Sequence, residues 1–310
     1  MKHQNRLVAT LGVFAAIISS HVFASQEFTA NRTDGSKIHF YLKKADPAIA
    51  PTELLVIAQG SDCNSVYHNN KINQTFSHIL PNADVLTVEK YGINSSLPWS
   101  DDVERADCPQ AYLVHDSLDQ RVMDYKQVIS LLKSERDYSR IVVVGGSEGA
   151  LVSNLLAAEQ DVVDQSVALN GGGRWFTDDM LHSIKSEVPS EDLYQQIEAE
   201  VFEFVTYLKN SEPSDFVESG HGYHWWKSMV ELDQQAVIGK ITSPILIVQA
   251  EKDSNVSFEQ TEIMVNKLAE KQSNITFKTY PNLDHSFIAP NGDNLSKQVA
   301  EDVARWLEQF

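Results

Sequence analysis

The chain has 310 residues, 42% of them hydrophobic and 22% charged, enough for one large α/β domain or two smaller ones. A chain of this size buries a substantial core without metals or many disulfides. Its formal charge of −18 excludes a reading built on gripping a nucleic-acid backbone and favours solubility over attraction to anionic surfaces.

Residues 1–24 read as a secretory leader. Lys2 and Arg6 supply the positive start, residues 7–18 are an apolar run, and Val22-Phe23-Ala24 precedes a cleavage point at Ala24/Ser25. The run is shorter than the ~20 residues that cross a bilayer, which argues against an anchor. No later segment is long and apolar enough to span a membrane, so residues 25–310 are expected in the periplasm or outside the cell. Cys63 and Cys108 are the sole cysteines, and in an exported chain an even pair points to a disulfide. Two unrelated buried thiols are the other reading, and no zinc-like ligand spacing accompanies them.

A hairpin opens the mature chain, with strands over 27–33 and 37–43 about a turn at Asp34-Gly35. Leu54-Leu55-Val56-Ile57-Ala58 is a short apolar run ending near Gly60, as in a buried central strand, and 85–88 is another. Residues 118–132 have helical spacing, with Val122, Tyr125, Ile129 and Leu132 on one face. The β-branched run 141–144 is the strongest strand signal; a helix over 150–158 and a strand over 162–169 follow. Residues 174–239 then show helical periodicity and no strand, with Leu193, Ile197, Val201, Phe204 and Leu208 in one stripe. A strand at 245–248, a helix over 258–271, a strand at 275–280 and a closing helix bearing Val299, Val303, Trp306 and Phe310 complete the rhythm. The alternation predicts an α/β fold: a mostly parallel central sheet, helices on both faces, and a helical cap inserted at about 174–239.

Gly145-Gly146-Ser147-Glu148-Gly149 fits G-x-S-x-G, directly after the strand 141–144 and before a helix. That context places Ser147 on a sharp turn, exposed as a nucleophile, with glycines permitting the turn and close strand–helix contact. A serine hydroxyl needs a base, and the base needs an orienting acid. The strand 245–248 runs into a loop carrying Asp253, the expected acid, with Glu251 as its competitor. His285, in Asp284-His285-Ser286-Phe287 after the strand 275–280, is the expected base, 32 residues beyond Asp253. The order Ser, Asp, His is the one such a fold requires. Two backbone amides should hold the oxyanion. One comes from Glu148 and the other from Ser61, with Asp62 as the alternative, in the loop Gln59-Gly60-Ser61-Asp62.

Together these residues resemble the α/β-hydrolase superfamily over nearly all of 27–310. The resemblance implies a serine hydrolase with a Ser147–Asp253–His285 triad and no cofactor. Pro244-Ile245-Leu246-Ile247-Val248-Gln249-Ala250-Glu251-Lys252-Asp253 is similar to the acid-loop signature of the branch holding dienelactone hydrolases and prolyl-oligopeptidase-like proteins. Gln59 departs from the His common before the oxyanion Gly, and Ala250 from the usual Gly.

His221-Gly222-Tyr223-His224-Trp225-Trp226 closes the insertion; Tyr223, Trp225 and Trp226 either line a substrate pocket or form the cap's own core. No metal is assigned to the two histidines, which lack a positioned carboxylate or cysteine partner. The expected substrate is a small-molecule carboxylic ester, thioester or amide. A serine peptidase or aminopeptidase of the same fold, and a binding protein that keeps the fold without catalysis, are the alternatives.

Overall fold

The computed structural model describes residues 25–45, 52–102 and 105–310. The expected leader, residues 1–24, lies outside them. β1 (Gln26–Asn31) and β2 (Lys37–Lys43) pair antiparallel as anticipated. Their turn is set by the Asp34 carboxylate, which accepts the Ser36 N–H at 2.8 Å, and by Gly35 at φ 86°.

The chain then alternates. β3 (Thr52–Ala58), α1 (Asn70–Gln74), β4 (Ala83–Val88), α2 (Gln110–His115), α3 (Leu118–Glu135), β5 (Tyr138–Gly146), α4 (Glu148–Ala158) and β6 (Gln165–Leu169) build the first part. β6 begins three residues later than the apolar pattern predicts. Asp164 ends a turn instead, its carboxylate accepting the Ile141 N–H at 2.7 Å, while Val163 serves the core from that turn.

Residues 174–239 contain α5 (Phe176–Glu187), α6 (Glu191–Asn210), α7 (Tyr223–Glu231) and α8 (Gln234–Ile238). They also contain a two-residue ladder, β7 (Val217–Glu218) against β8 (His221–Gly222), where no strand was expected. Ser219 and Gly220 turn it with φ of 48° and 74°, the left-handed pair a tight hairpin needs. A ladder this short leaves no periodicity to read. β9 (Ile245–Ala250), α9 (Phe258–Ala269), β10 (Ile275–Tyr280) and α10 (Ser296–Leu307) follow.

The sheet order is β1-β2-β4-β3-β5-β6-β9-β10, antiparallel at the first two junctions and parallel from β4 onward. Alternate residues of the central strands feed two cores. Leu54, Val56, Ile141, Val143, Ile245 and Ile247 face one. Leu55, Ile57, Val142, Val144, Leu246 and Val248 face the other. Burial on both faces explains why these strands read as continuous apolar runs. The first core takes in Tyr125 and Val128 of α3, Leu151 and Val152 of α4, and Val205, Trp225, Met229 and Ile238 from residues 174–239. The helices of residues 174–239 are therefore rooted in the main core rather than laid over it.

Candidate active site

Ser147 joins β5 to α4 with φ 56° and ψ −128°, a strained backbone for a residue with a Cβ. The turn is held by the Ser147 N–H donating to Leu169 O at 2.9 Å and by Ala150 N–H donating to Ser147 O at 2.8 Å. Two motif glycines make it possible. A Cβ on Gly145 would sit 1.8 Å from Gly149 O, and one on Gly149 would sit 2.2 Å from Ala58 O. Any larger residue would push α4 off the sheet.

Asp253 follows β9 and is buried. Its Oδ2 lies 2.8 Å from His285 Nδ1, at hydrogen-bond distance. Asp253 Oδ1 accepts the N–H groups of Asn255 at 2.9 Å and Val256 at 3.1 Å, while Oδ2 also accepts from Gln249 Nε2 at 3.1 Å. Glu251, the competing acid, turns elsewhere and accepts from Thr279 Oγ1 at 2.8 Å. His182, on α5, reaches the same loop, its Nε2 lying 2.9 Å from Asp253 O.

Ser147 lies between two cavities. One, of about 220 Å³, is lined by Ser61, Ser147 and Glu148, by the apolar Leu151, Phe176, Met180, Trp225, Met229 and Leu232, and by Arg174 and Asp179 among its polar residues. The other, of about 180 Å³, is bordered by Ser147, Gly60, Lys71, Ile72, Phe76 and His285. Burial pushes the Asp179 carboxyl up to about 7, helped by the charges of Asp178 and Asp253 and opposed by N–H groups of Ser257 and Gly173. Burial lowers the Lys71 ammonium.

Of the three insertion aromatics, Trp225 borders the first cavity. Tyr223 and Trp226 are not among its lining residues and serve the core instead. The Tyr223 hydroxyl donates to the carbonyls that end α6, and Trp226 Nε1 donates to Glu218 O at 3.0 Å. His221 stacks on Trp225 with ring centroids 3.7 Å apart, and its Nδ1 lies 3.0 Å from the Tyr112 hydroxyl, which in turn donates to Ser61 O at 3.0 Å. Burial lowers His221 to about 4, so the ring is neutral at pH 7.

The Glu148 side chain is fully enclosed. It pairs with Arg121 of α3 and accepts from Trp225 Nε1 at 2.7 Å. Burial would raise this carboxyl, but the charges of Arg121 and Lys90 and the indole hydrogen bond outweigh it, and the net direction is down. Arg121 also donates to Gln59 O at 2.6 Å. Gln59 donates through Nε2 to Asp62 Oδ1 and to Asn64 O at 3.1 Å, bracing the loop that carries Ser61.

Cys63 and Cys108 are joined by a disulfide, with Cα atoms 6.0 Å apart. The bridge ties the Ser61 loop to the segment before α2. Arg105 adds to it, donating to Asn64 Oδ1 at 2.8 Å and Pro98 O at 2.7 Å, and Lys90 donates to Asp62 O.

Residues 114–310 match the prolyl oligopeptidase family, which is more than half of the sequence. The chain belongs to that family. Its esterase relative EstD of Thermotoga maritima is 25% identical over 198 residues, covering 60% of this chain and 47% of the relative, so the chain spans about half the length of the curated relative it matches. Among solved structures, the esterase Pf2001 of Pyrococcus furiosus aligns with a TM-score of 0.59 at 14% identity over 93% of each chain. The acylaminoacyl peptidase of Pyrococcus horikoshii aligns with a TM-score of 0.60 at 12% identity over 94% of this chain and 42% of the other. At such identities the likeness speaks to the fold, which is the α/β-hydrolase fold.

For this member of the prolyl oligopeptidase family, three supporting residues escaped the sequence reading. Asn170, at φ 49° beyond β6, accepts the Ala250 N–H at 2.9 Å and donates to His285 O at 3.0 Å, joining β9 to the loop of His285. Gln249 braces Asp253. Arg121 is the third. Only Gln249 carries a signal in the sequence, as the one polar residue of the strand Ile245–Ala250; Asn170 stands in a loop beyond β6, and Arg121 shares its buried face of α3 with Asp124.

Proposed function

We propose that this chain is an exported serine hydrolase that cleaves a small-molecule carboxylic ester, thioester or amide through an acyl-enzyme on Ser147. One observation carries the reading: Ser147, on a left-handed strand–helix turn, opens onto the cavity bordered by His285, whose Nδ1 is paired with the buried Asp253. In this scheme Ser147 Oγ attacks the carbonyl carbon as His285 Nε2 takes its proton. Asp253 holds the imidazole tautomer, and the amides of Ser61 and Glu148 receive the developing oxyanion. The bond to the leaving group then breaks, and that group departs with the proton from His285. Water repeats the sequence to release the acid and restore Ser147.

The two cavities divide the substrate. The carbonyl oxygen must face Ser61 and Glu148, and the leaving group must lie near the imidazole that protonates it. The acyl group then occupies the cavity roofed by Phe176, Met180, Trp225 and Met229, with residues 174–239 as its cap, and the leaving group occupies the cavity beside Lys71. The bridged Cys63–Cys108 pair and the composition of residues 1–24 support export to the periplasm or beyond.

Family membership favours a second reading, a peptidase. An exopeptidase needs a charged group to grip a chain terminus, and both charged candidates in the acyl cavity are engaged: Asp179 by the Ser257 N–H at 2.8 Å and the Gly173 N–H at 3.1 Å, and Arg174 by Asp233 at 2.7 Å. That supports the esterase reading. The test is a panel of p-nitrophenyl esters of increasing acyl length beside aminoacyl p-nitroanilides. Turnover of the esters with Ser147→Ala inactive supports the proposal; turnover of the anilides alone moves the assignment to the peptidase.

A further inference from the structure

Arg121 stands 62 residues from Gln59 and 27 from Glu148 in sequence, yet one guanidinium reaches both. One nitrogen pairs with the Glu148 carboxylate and the other donates to Gln59 O at 2.6 Å. These partners belong to the two segments that carry the oxyanion amides. Glu148 is itself the residue after the nucleophile, and Gln59 stands two residues before Ser61. The guanidinium is buried, as is the carboxylate it faces. Burying this pair carries a desolvation cost, and nothing in packing alone requires a charge on the inner face of α3.

We propose that Arg121 is a positioning residue for the oxyanion hole, fixing the separation of the Glu148 and Ser61 amides by clasping both segments with its planar fork. The inference rests on the hydrolase reading above. A fork of fixed geometry suits the task because its two donors cannot move independently, so a shift of one segment is resisted by the other. A second path closes the ring. Glu148 accepts from Trp225 Nε1, Trp225 stacks on His221, His221 meets the Tyr112 hydroxyl, and that hydroxyl donates to Ser61 O. The amides are thus linked from both sides, and the Arg121 side is the more direct.

The experiment compares Arg121→Lys, Arg121→Met and the double variant Arg121→Met with Glu148→Gln, in which no lone buried carboxylate is left to unfold the chain. kcat and KM are measured on p-nitrophenyl butyrate, with active sites counted by fluorophosphonate titration so that only folded enzyme enters the rate. The inhibition constant for phenylboronic acid, whose tetrahedral adduct places an oxygen in the hole, is measured beside them. Removal of a whole oxyanion donor lowers kcat by about 10²–10³-fold, so a loosened hole should lose about 10- to 100-fold. The expected result is that loss in kcat with KM within about threefold, weaker boronate binding in parallel, and no full rescue by lysine, which keeps the charge without the fork. Wild-type kcat per titrated site in Arg121→Lys or in the double variant overturns the proposal. Ser147→Ala, assayed alongside, separates the two layers. If it stays active the hydrolase reading fails; if it is dead while the Arg121 variants are unimpaired, the positioning role alone fails.

Discussion

The indole of Trp225 donates to the carboxylate of Glu148 at 2.7 Å, across 77 residues of sequence. Through this bond α7 is fastened to the residue that follows Ser147. Hydrogen bonds to charged groups contribute about 1.5–3 kcal/mol. Trp225→Phe keeps an aromatic ring in the cavity it shares with Ser147 and deletes the donor. It should lower stability by about that amount, read from urea unfolding, and should lower kcat more than it raises KM. An unchanged unfolding midpoint would show that the bond holds nothing in place.

Asn170 bridges the strand before Asp253 and the loop of His285, and its positive φ makes glycine the informative replacement. Asn170→Gly tolerates the backbone and removes both hydrogen bonds. A misplacement of catalytic groups by a fraction of an ångström costs about tenfold or more, so kcat should fall by about that factor with KM little changed. The check is steady-state kinetics on the ester panel, normalised to sites titrated with a fluorophosphonate.

The Cys63–Cys108 bridge closes 45 residues, worth about 4 kcal/mol in the chain-entropy picture and often less in practice. Cys63→Ser with Cys108→Ser should therefore lower the melting temperature clearly. Its effect on kcat should stay below about tenfold, because Arg105, Lys90 and Gln59 also hold the Ser61 loop. Differential scanning calorimetry and ester kinetics on the same samples read both effects. A larger loss of kcat than of stability would mean that the bridge alone shapes the loop.

Asp179 gives a pH signature with a definite sign. Its carboxyl is raised from 3.8 to about 7 by burial, so between those values the folded state keeps a proton that the unfolded state has lost. This contribution makes stability fall as pH rises from about 4 to 7 and leaves it level above. His221, lowered from 6.5 to about 4, acts oppositely: its contribution is full above about 6.5 and is lost as pH falls toward 4. Asp179→Asn isolates the first effect. Its melting temperature relative to wild type should climb by a few degrees between pH 4.5 and 8. A difference that stays constant across that range would place the Asp179 ionisation outside it.

The sheet and the order of the site segments could be read in the chain because the central strands are buried on both faces, and such strands advertise themselves as apolar runs ending in glycine or a polar loop. Ser147 and Asp253 follow two of them, β5 and β9, whereas His285 follows the edge strand β10, which is only half-buried. Arg121, Gln249 and Asn170 could not be assigned partners from sequence, since a buried polar residue announces only that a partner exists. Arg121 lies on the α3 face that also buries Tyr125 and Val128, a placement that demands a counter-charge, but Glu148 and Gln59 are brought to it only by the fold. Trp225 and Trp226 are adjacent, alike and both buried in the first core, yet only Trp225 also borders the cavity, so no pattern in the chain distinguishes their tasks.

The most direct test of the central assignment is mass spectrometry of the protein after reaction with a fluorophosphonate, with peptide mapping of the adduct and Ser147→Ala and His285→Ala in parallel. The expected result is one adduct per chain, located on Ser147, absent from Ser147→Ala and strongly slowed in His285→Ala, with ester turnover lost by several orders of magnitude in both variants. An adduct on another serine, or turnover by Ser147→Ala above about a hundredth of wild type, would contradict the assignment of Ser147 as the nucleophile.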